Sequence, residues 1–390
     1  MADPFDFDEV HDRRCVPALK VHPIVLGDDG VHLFPAGVAD MDFRVAPAIT
    51  QALARRLEHG IFGYEAVPEG LIPALVYWLR TRHNWVADPN HILRAPNVLN
   101  SLALATSLFS EEGDGIIVQP PVFFDFFDII RENSRSIVEN PLRLTDGRYE
   151  MDFTGLERLA ANPRNKLLFL CNPHNPVGRV WEREELERLG DICARHKVLV
   201  VSDELHGDIT FAGHSYTPFA SLGEAFAGNS ITFLSPAKSF NIAGVCWSFI
   251  VVTDEQRRKS LQAESSRLTV NKNNAFSSVA MEAAYREGGP WLDAAIDYLQ
   301  GNLDLLRSEI GTTPGVDLVE PEGTFLAWLD FRELFDQPDE LHTFLRSKAG
   351  WAVTRGAAFG ETGAGFARLN FACPRNKLAA ALAQLRTALG

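Results

Sequence analysis

Cysteine is scarce in this chain, with five in 390 residues and no CxxC among them. Cys15, Cys171, Cys193, Cys246 and Cys373 are odd in number and widely scattered, which excludes a disulfide framework and predicts reduced thiols in a cytoplasmic protein. The histidines lack ligand spacing, so no metal site is expected. No uninterrupted apolar run approaches a membrane span. The amino terminus, MADPFDFDEVHDRRC, is acidic and lacks the apolar core of a signal peptide. A basic excess is missing too. The net charge of −14 argues against a nucleic-acid or membrane partner, although a few local arginines suffice for a small anionic substrate. No repeat or low-complexity tract is present.

What remains has the composition of an ordinary globular protein, 46% hydrophobic and 23% charged. Its length is too great for one ordinary core, so two domains, or one large domain with an appendage, are expected. An N-terminal arm, residues 1–45, carries turns such as GDDG and ends in VADMDF. Residues 46–285 open on the helical period of PAITQALARRLEHG and read as an α/β domain. Its strands are the short runs GIIVQ (115–119), NKLLFLC (165–171), KVLVVSDE (197–204), NSITFLS (229–235) and WSFIVVT (247–253). Helical stretches such as REELERLGDICARH (183–196) separate several of them, predicting a mostly parallel sheet covered on both faces. Residues 286–390 change texture. A long charged helix near 290–310 precedes TFLAWLDF, WAVT and FARLNFA, which read as antiparallel strands of a smaller α+β domain closed by a helix from Arg375.

Chemistry gathers where the predicted strands end. CNPHNPVG (171–178) follows LLFL, and its prolines and glycine force a turn that leaves the Asn175 amide off the sheet end. SDELHGD (202–208) follows VLVV and places Asp203 where a strand finishes. In FLSPAKSFNIAG (233–244), Lys238 lies just past another apolar run. Alone, Lys238 is better explained as a surface lysine at the end of a strand. In an α/β sheet, however, the carboxyl ends of the strands converge on one crevice, bringing an amide, a carboxylate and an amine together. An amine able to form a Schiff base, with a carboxylate for a pyridinium nitrogen, is what pyridoxal 5'-phosphate requires.

In that order and spacing, NPHNPVG, SDELHGD and SPAKSFN resemble the fold type I pyridoxal-phosphate enzymes of the aminotransferase class I/II superfamily. Asn175 to Asp203 is 203 − 175 = 28 residues, and Asp203 to Lys238 is 238 − 203 = 35. VADMDF, HGIFGY, PPVF, CNPHNPVGRVW, AKSFN and GFARLNFACPR are together similar to the MalY/PatB-type cystathionine β-lyases, or C–S lyases. The resemblance implies a large domain with a mostly parallel sheet plus a smaller α+β domain. It also implies a homodimer with shared active sites and an amino-acid substrate, a cysteine S-conjugate.

By the same resemblance, Lys238 would carry the cofactor, Asp203 would pair with its ring nitrogen, and Asn175 and His206 would lie near its 3-oxygen. Ser235 and the backbone of Val98 and Leu99, which open the helical stretch NVLNSLALATSLF, would bind the phosphate. Tyr64 would reach that phosphate from the neighbouring subunit, and Phe123 would stack on the ring. Arg368 would grip the substrate carboxylate with its two-pronged donor. Asp40 and Arg355 would border the substrate.

Cys246 stands eight residues after the lysine, where many aminotransferases keep an arginine for the phosphate, and this favours the lyase reading. An aminotransferase, a decarboxylating deaminase and a regulatory protein on the same fold are the alternatives. The chain departs from the lyase pattern in three places: RRCVPALKVH (13–22), Phe123 where tyrosine is common, and Arg355-Gly356 in place of Pro-Gly. These predict an altered substrate, with Arg355 available to an extra anionic or polar group.

Overall fold

The computed structural model describes residues 5–28 and 30–390, so the first four residues of the arm and Asp29 of the GDDG turn lie outside the described residues. The central sheet is formed by β1 (Ile92–Ala95), β2 (Gly115–Val118), β3 (Ser136–Glu139), β4 (Asn165–Cys171), β5 (Leu199–Asp203), β6 (Ser230–Leu234) and β7 (Ser248–Val251). Their spatial order is β1-β7-β6-β5-β4-β2-β3. The pairings from β6 to β3 are parallel, whereas β7 runs antiparallel to both β6 and β1. The central strands β5 and β6 are buried along their whole length and carry apolar residues on both faces, as a sheet covered by helices demands. The edge strand β3 is half-exposed and polar at both ends.

Helix α1 (Pro47–His59) starts with proline in its first turn and stops at Gly60 in the left-handed region. Helix α2 (Val98–Phe109) is capped by Asn97, whose side chain accepts the Asn100 N–H at 2.8 Å. Helix α3 (Arg183–His196) buries Leu186, Leu189, Ile192 and Cys193 on one stripe, and Glu182 and Glu185 cap its start reciprocally. Among the described residues, no helix is long and apolar enough to cross a membrane.

The second sheet, in the order β8 (Asp317–Val319), β9 (Leu326–Asp330), β11 (Phe366–Asn370), β10 (Thr354–Arg355), is antiparallel throughout. Helices α4 (Gly289–Ile310) and α5 (Arg375–Leu389) pack beside it. One expectation needs correction. Of WAVT, only Thr354 joins this sheet, while Trp351–Ala352 pairs in parallel with Phe34–Pro35 of the arm. The Trp351 ring accounts for the split: it is fully buried and its indole N–H donates to the Ala381 carbonyl on α5 at 3.0 Å. β8, which was not read from the sequence, forms the edge of the sheet.

Residues 36–43 of the arm thread between the two sheets, and two asparagines hold them there. Asn241 accepts the Met41 N–H at 2.9 Å and donates to the Met41 and Phe43 carbonyls, both at 3.0 Å. Asn370, at the end of β11, donates to the carbonyls of Val38 (2.7 Å) and Asp40 (2.6 Å). One apolar core runs from Phe7, Met41 and Phe43 of the arm to Leu299 of α4 and Phe325 beside β9.

A buried ion pair ties the turn after β4 to the second sheet. The Arg179 guanidinium donates through Nε to Glu322 Oε2 (2.9 Å) and through Nη2 to Glu185 (2.7 Å), and stacks on Trp181 at 4.5 Å. Burial opposes the charge on Glu322, yet Arg179 and Arg148 hold its carboxyl below the usual range. Gly178 permits the approach. Its φ is +75°, and a Cβ there would lie 2.7 Å from Pro321. Glu322→Ala, which strands Arg179, is expected to cost about 3–5 kcal/mol of stability, read as a lower denaturant midpoint. A midpoint within about 0.5 kcal/mol of wild type would show that the pair carries no such load.

Candidate active site

The parallel register puts the last residues of the central strands side by side. Cys171 pairs with Asp203, and Asp203 with Phe233, one residue before β6 ends. Asn175 lies 175 − 171 = 4 residues past β4, and Lys238 lies 238 − 234 = 4 past β6. Each follows a tight turn. The Asn172 N–H extends the ladder to the Asp203 carbonyl (2.9 Å) and Gly178 N–H closes on His174 (2.8 Å). The Ala237 N–H meets Ser235 Oγ (3.2 Å), and the Ile242 N–H closes on Ala237 (3.1 Å). Facing them, β11 projects Arg368 from the second sheet. Between the sheets lies a cavity of about 610 Å³, which the arm segment 37–39 also lines.

Arg368 is buried and held on several sides. Its Nη1 donates to Asn175 Oδ1 at 2.9 Å, and its Nη2 to the Gly37 carbonyl at 2.8 Å and to Thr354 Oγ1 at 3.3 Å. The guanidinium lies 4.9 Å from the Phe359 ring centroid, and burial works against its charge. Lys238 is partly buried, and its Nζ donates to the Ala39 carbonyl at 2.6 Å. Burial and the nearby Arg368 lower its ammonium to about 8, against the pull of Asp40 and Asp203. Burial pushes the Asp203 carboxyl up to about 6, although the Leu205 N–H (3.2 Å) and Lys238 favour its charged form. His206 is kept neutral by burial, Lys238 and Arg368, and its ring rests edge-on against Phe325 at 5.8 Å.

Of the residues singled out by sequence, Lys238, Asp203, Asn175, His206, Phe123, Arg355 and Arg368 line this one cavity. The other five do not. Asp40 receives two hydrogen bonds from Arg13 (2.9 and 2.6 Å) and lies near Lys20, so its carboxylate braces the arm and reaches Lys238 through its field. The Ser235 hydroxyl donates to the Trp247 carbonyl at 2.8 Å and has Cys246 Sγ 3.4 Å away. Val98 is buried and Leu99 exposed at the start of α2. Tyr64 is fully exposed, in a surface depression it shares with Arg55, Arg56 and Glu282.

The structure adds participants the sequence reading passed over. Thr354 and the carbonyls of Gly37 and Ala39 hold the two cations, and Asp125 faces the cavity half-buried. Backbone acceptors leave no trace in a sequence. Asp125 has a readable signal, a lone acid within the aromatic run PPVFFDFF.

Whether the cavity suits an aldehyde cofactor can be tested on its unmet polar atoms. Among the described residues, His206 Nδ1, Arg368 Nε and Asn172 Oδ1 are buried without a hydrogen-bond partner. Two of these belong to side chains on the cavity wall, beside an amine of lowered basicity and a carboxylate at a strand end. Polar atoms buried in this way are costly unless a bound group meets them. The donor set therefore fits pyridoxal phosphate.

Comparison with known proteins agrees with that geometry. The profile of the family "Aminotransferase class I and II" matches residues 37–385. The cystathionine β-lyase PatB of Bacillus subtilis (strain 168) is 42% identical over 356 residues, covering 91% of this chain and 92% of its own. Protein MalY of Escherichia coli (strain K12) is 32% identical over 388 residues, covering 99% of each. The crystal structure of cystalysin from Treponema denticola, which contains a pyridoxal 5'-phosphate cofactor, superposes with a TM-score of 0.95 at 33% identity, over 99% of this chain and 98% of that one.

In cofactor-free protein, Lys238 should react with an amine reagent with a midpoint near pH 8, where its ammonium gives up its proton, against about 10.4 for a free lysine. Because the folded value lies below the unfolded one, that form gains stability as pH rises from about 8 to about 10.4. Arg368→Met should move the labelling midpoint upward, as resolved by peptide mass spectrometry. An unmoved midpoint would mean that the two cations do not sense each other.

Proposed function

The chain belongs to the aminotransferase class I and II family, and from that premise we propose that it is a pyridoxal-phosphate-dependent C–S β-lyase. It would cleave an L-cysteine S-conjugate to a thiol, pyruvate and ammonia. One observation carries this reading: an amine, a carboxylate and a buried arginine, delivered by three separate segments, meet in a single cavity. The relatives named cystathionine β-lyase support cleavage as the outcome.

Bound pyridoxal phosphate supplies an electron-accepting ring joined to the substrate's α-nitrogen. This chain's own residues do the rest. Arg368 takes the α-carboxylate, and because Asn175, Gly37 and Thr354 fix its guanidinium, the substrate's Cα is presented in one orientation. Lys238, with its basicity lowered to about 8, is in part neutral near pH 7, and its Nζ serves as the base that removes the Cα proton. Asp203, largely ionised at that pH, would be the partner that keeps the cofactor's ring nitrogen protonated. His206 and Asn175, which line the same cavity, would offer neutral polar groups to the cofactor's ring oxygen. Phe123 supplies an apolar face against the ring.

The roles assigned to Ser235 and the N-terminus of α2, as phosphate binders, belong to the same reading. The full exposure of Tyr64 supports a homodimer in which that hydroxyl completes the neighbour's phosphate site. The division into arm, large domain to residue 285 and small domain is likewise ours, as is the cytoplasmic location, which rests on the five unpaired cysteines.

Borohydride reduction of the loaded protein should leave a pyridoxyl group on Lys238 alone, read by peptide mapping. Pyruvate should appear from a panel of S-conjugates, and Arg368→Ala should lower kcat/KM for its release by roughly 100-fold, the loss of a charge-assisted carboxylate contact. A label at another residue, or a keto acid that retains the sulfur, would overturn the lyase reading.

A further inference from the structure

The cavity that holds Lys238 and Arg368 is also lined by a second set of charged side chains. Asp125 belongs to the first set: the cations it senses are Arg368 and Lys238. The second set is His342 and Arg346 of the helix Pro338–Ser347 with Arg355 of β10. The charges around His342 are Arg355, Arg346 and Asp339, with neither Lys238 nor Arg368 among them. Two separate groups of charges thus share one chamber. The apolar lining of the same cavity includes Phe123, Phe124, Val38 and Val353, with Leu19 and Val25 from the arm.

The second set is positive and poorly satisfied. Arg346 donates to the Leu26 carbonyl at 2.6 Å, and among the described residues no carboxylate pairs with it. Arg355 pairs with Asp339 at 2.9 Å, but that aspartate is 89% exposed and the arginine 51% exposed, so water competes for both. An anion entering from the cavity side would meet two guanidinium groups and exchange a wet partner for an enclosed one. His342 is kept below its usual range by burial and by those two arginines, and it adds a neutral hydrogen-bonding group. The Phe124 ring lines the cavity beside Phe123, 5.1 Å from it and inclined at 50°.

Resting on the lyase reading above, we propose that the substituent on the substrate's sulfur is an apolar, ring-sized body that ends in an anion. The body packs along Phe124 with Leu19 and Val25, leaving Phe123 to the cofactor ring, and its anion is received by Arg355 and Arg346. Arg355 is then a residue that sets specificity, and the arm contributes to the choice through Leu19 and Val25.

The test uses analogues in which a methylene replaces sulfur, so that they bind without a thiolate to lose. Pyridoxal-phosphate-loaded protein is titrated spectroscopically with 2-amino-5-phenylpentanoate and with its para-carboxyphenyl counterpart. The carboxylate should tighten binding roughly tenfold, as a charge-assisted contact at a cavity rim allows, and the advantage should shrink as salt is raised. Arg355→Gln should reduce the ratio of the two dissociation constants to within about threefold. Equal affinity for the two analogues in wild-type protein, or an undiminished ratio in a folded Arg355→Gln, overturns the proposal. If that variant does not fold, Arg346→Gln and the salt dependence of the wild-type ratio decide instead. Failure to release pyruvate from S-benzyl-L-cysteine or its para-carboxy derivative counts against the lyase reading, while the ratio of dissociation constants decides the charge preference separately.

Discussion

Lys238 and Arg368 lie close enough in one cavity to repel each other, and the arrangement around them makes that tolerable. Lys238 and Arg368 repel each other in a setting where burial already disfavours both charges. Removing either from the site would relieve the strain, so the fold must hold them in place. It does so with oxygen atoms: the carbonyls of Ala39 and Gly37, the Asn175 amide oxygen and Thr354 Oγ1, with the carboxylates of Asp203, Asp125 and Asp40 supplying field. The repulsion is also useful. Together with burial, the larger cause, it lowers the lysine's basicity toward neutrality, where an amine can both bond to an aldehyde and accept a proton.

The oxygen atoms come from different parts of the chain, which explains why the arm threads between the sheets. Asn241 and Asn370, one on each side, clamp the same strand of backbone, residues 38–43. Backbone carbonyls placed this way cannot be lost by substitution of their side chains. The Arg179–Glu322 pair and Gly178 perform a similar service on the opposite flank, fixing the turn that carries Asn175 against the second sheet. Each member of the site is thereby referred to both sheets, and small relative shifts between them would alter carboxylate grip and lysine basicity together.

Much of the fold could be read because its signals are local. The run NKLLFLC spans β4 from end to end, and REELERLGDICARH spans α3, since apolar runs and a 3.6-residue stripe are properties of short segments. The antiparallel direction of β7 was not legible: a strand buried on both faces looks the same whichever way it runs. WAVT was misread because the preference of Trp351 for a pocket on α5 outweighs strand continuity. The side chains of the site announced themselves as polar residues following apolar runs, and resemblance to a known family assigned their chemistry. Thr354, the two carbonyls, His342 and Arg346 gave no comparable signal, whereas Arg355 was legible as a departure from the family's Pro-Gly step.

Segment by segment, then, the chain's residues by themselves determined which stretches are strands or helices, and which polar groups stand at strand ends. Those outcomes follow from neighbour-to-neighbour sterics and from the burial of periodic apolar faces. Only the tertiary structure decided that Arg368 meets Asn175 across 193 positions of chain, and that the carbonyls of residues 37 and 39 face the two cations. It also decided that the Asp40 carboxylate accepts from Arg13 and that the Ser235 hydroxyl donates to the Trp247 carbonyl. Such choices depend on distances between segments far apart in sequence, set by how two sheets and an arm pack, and no local pattern encodes them.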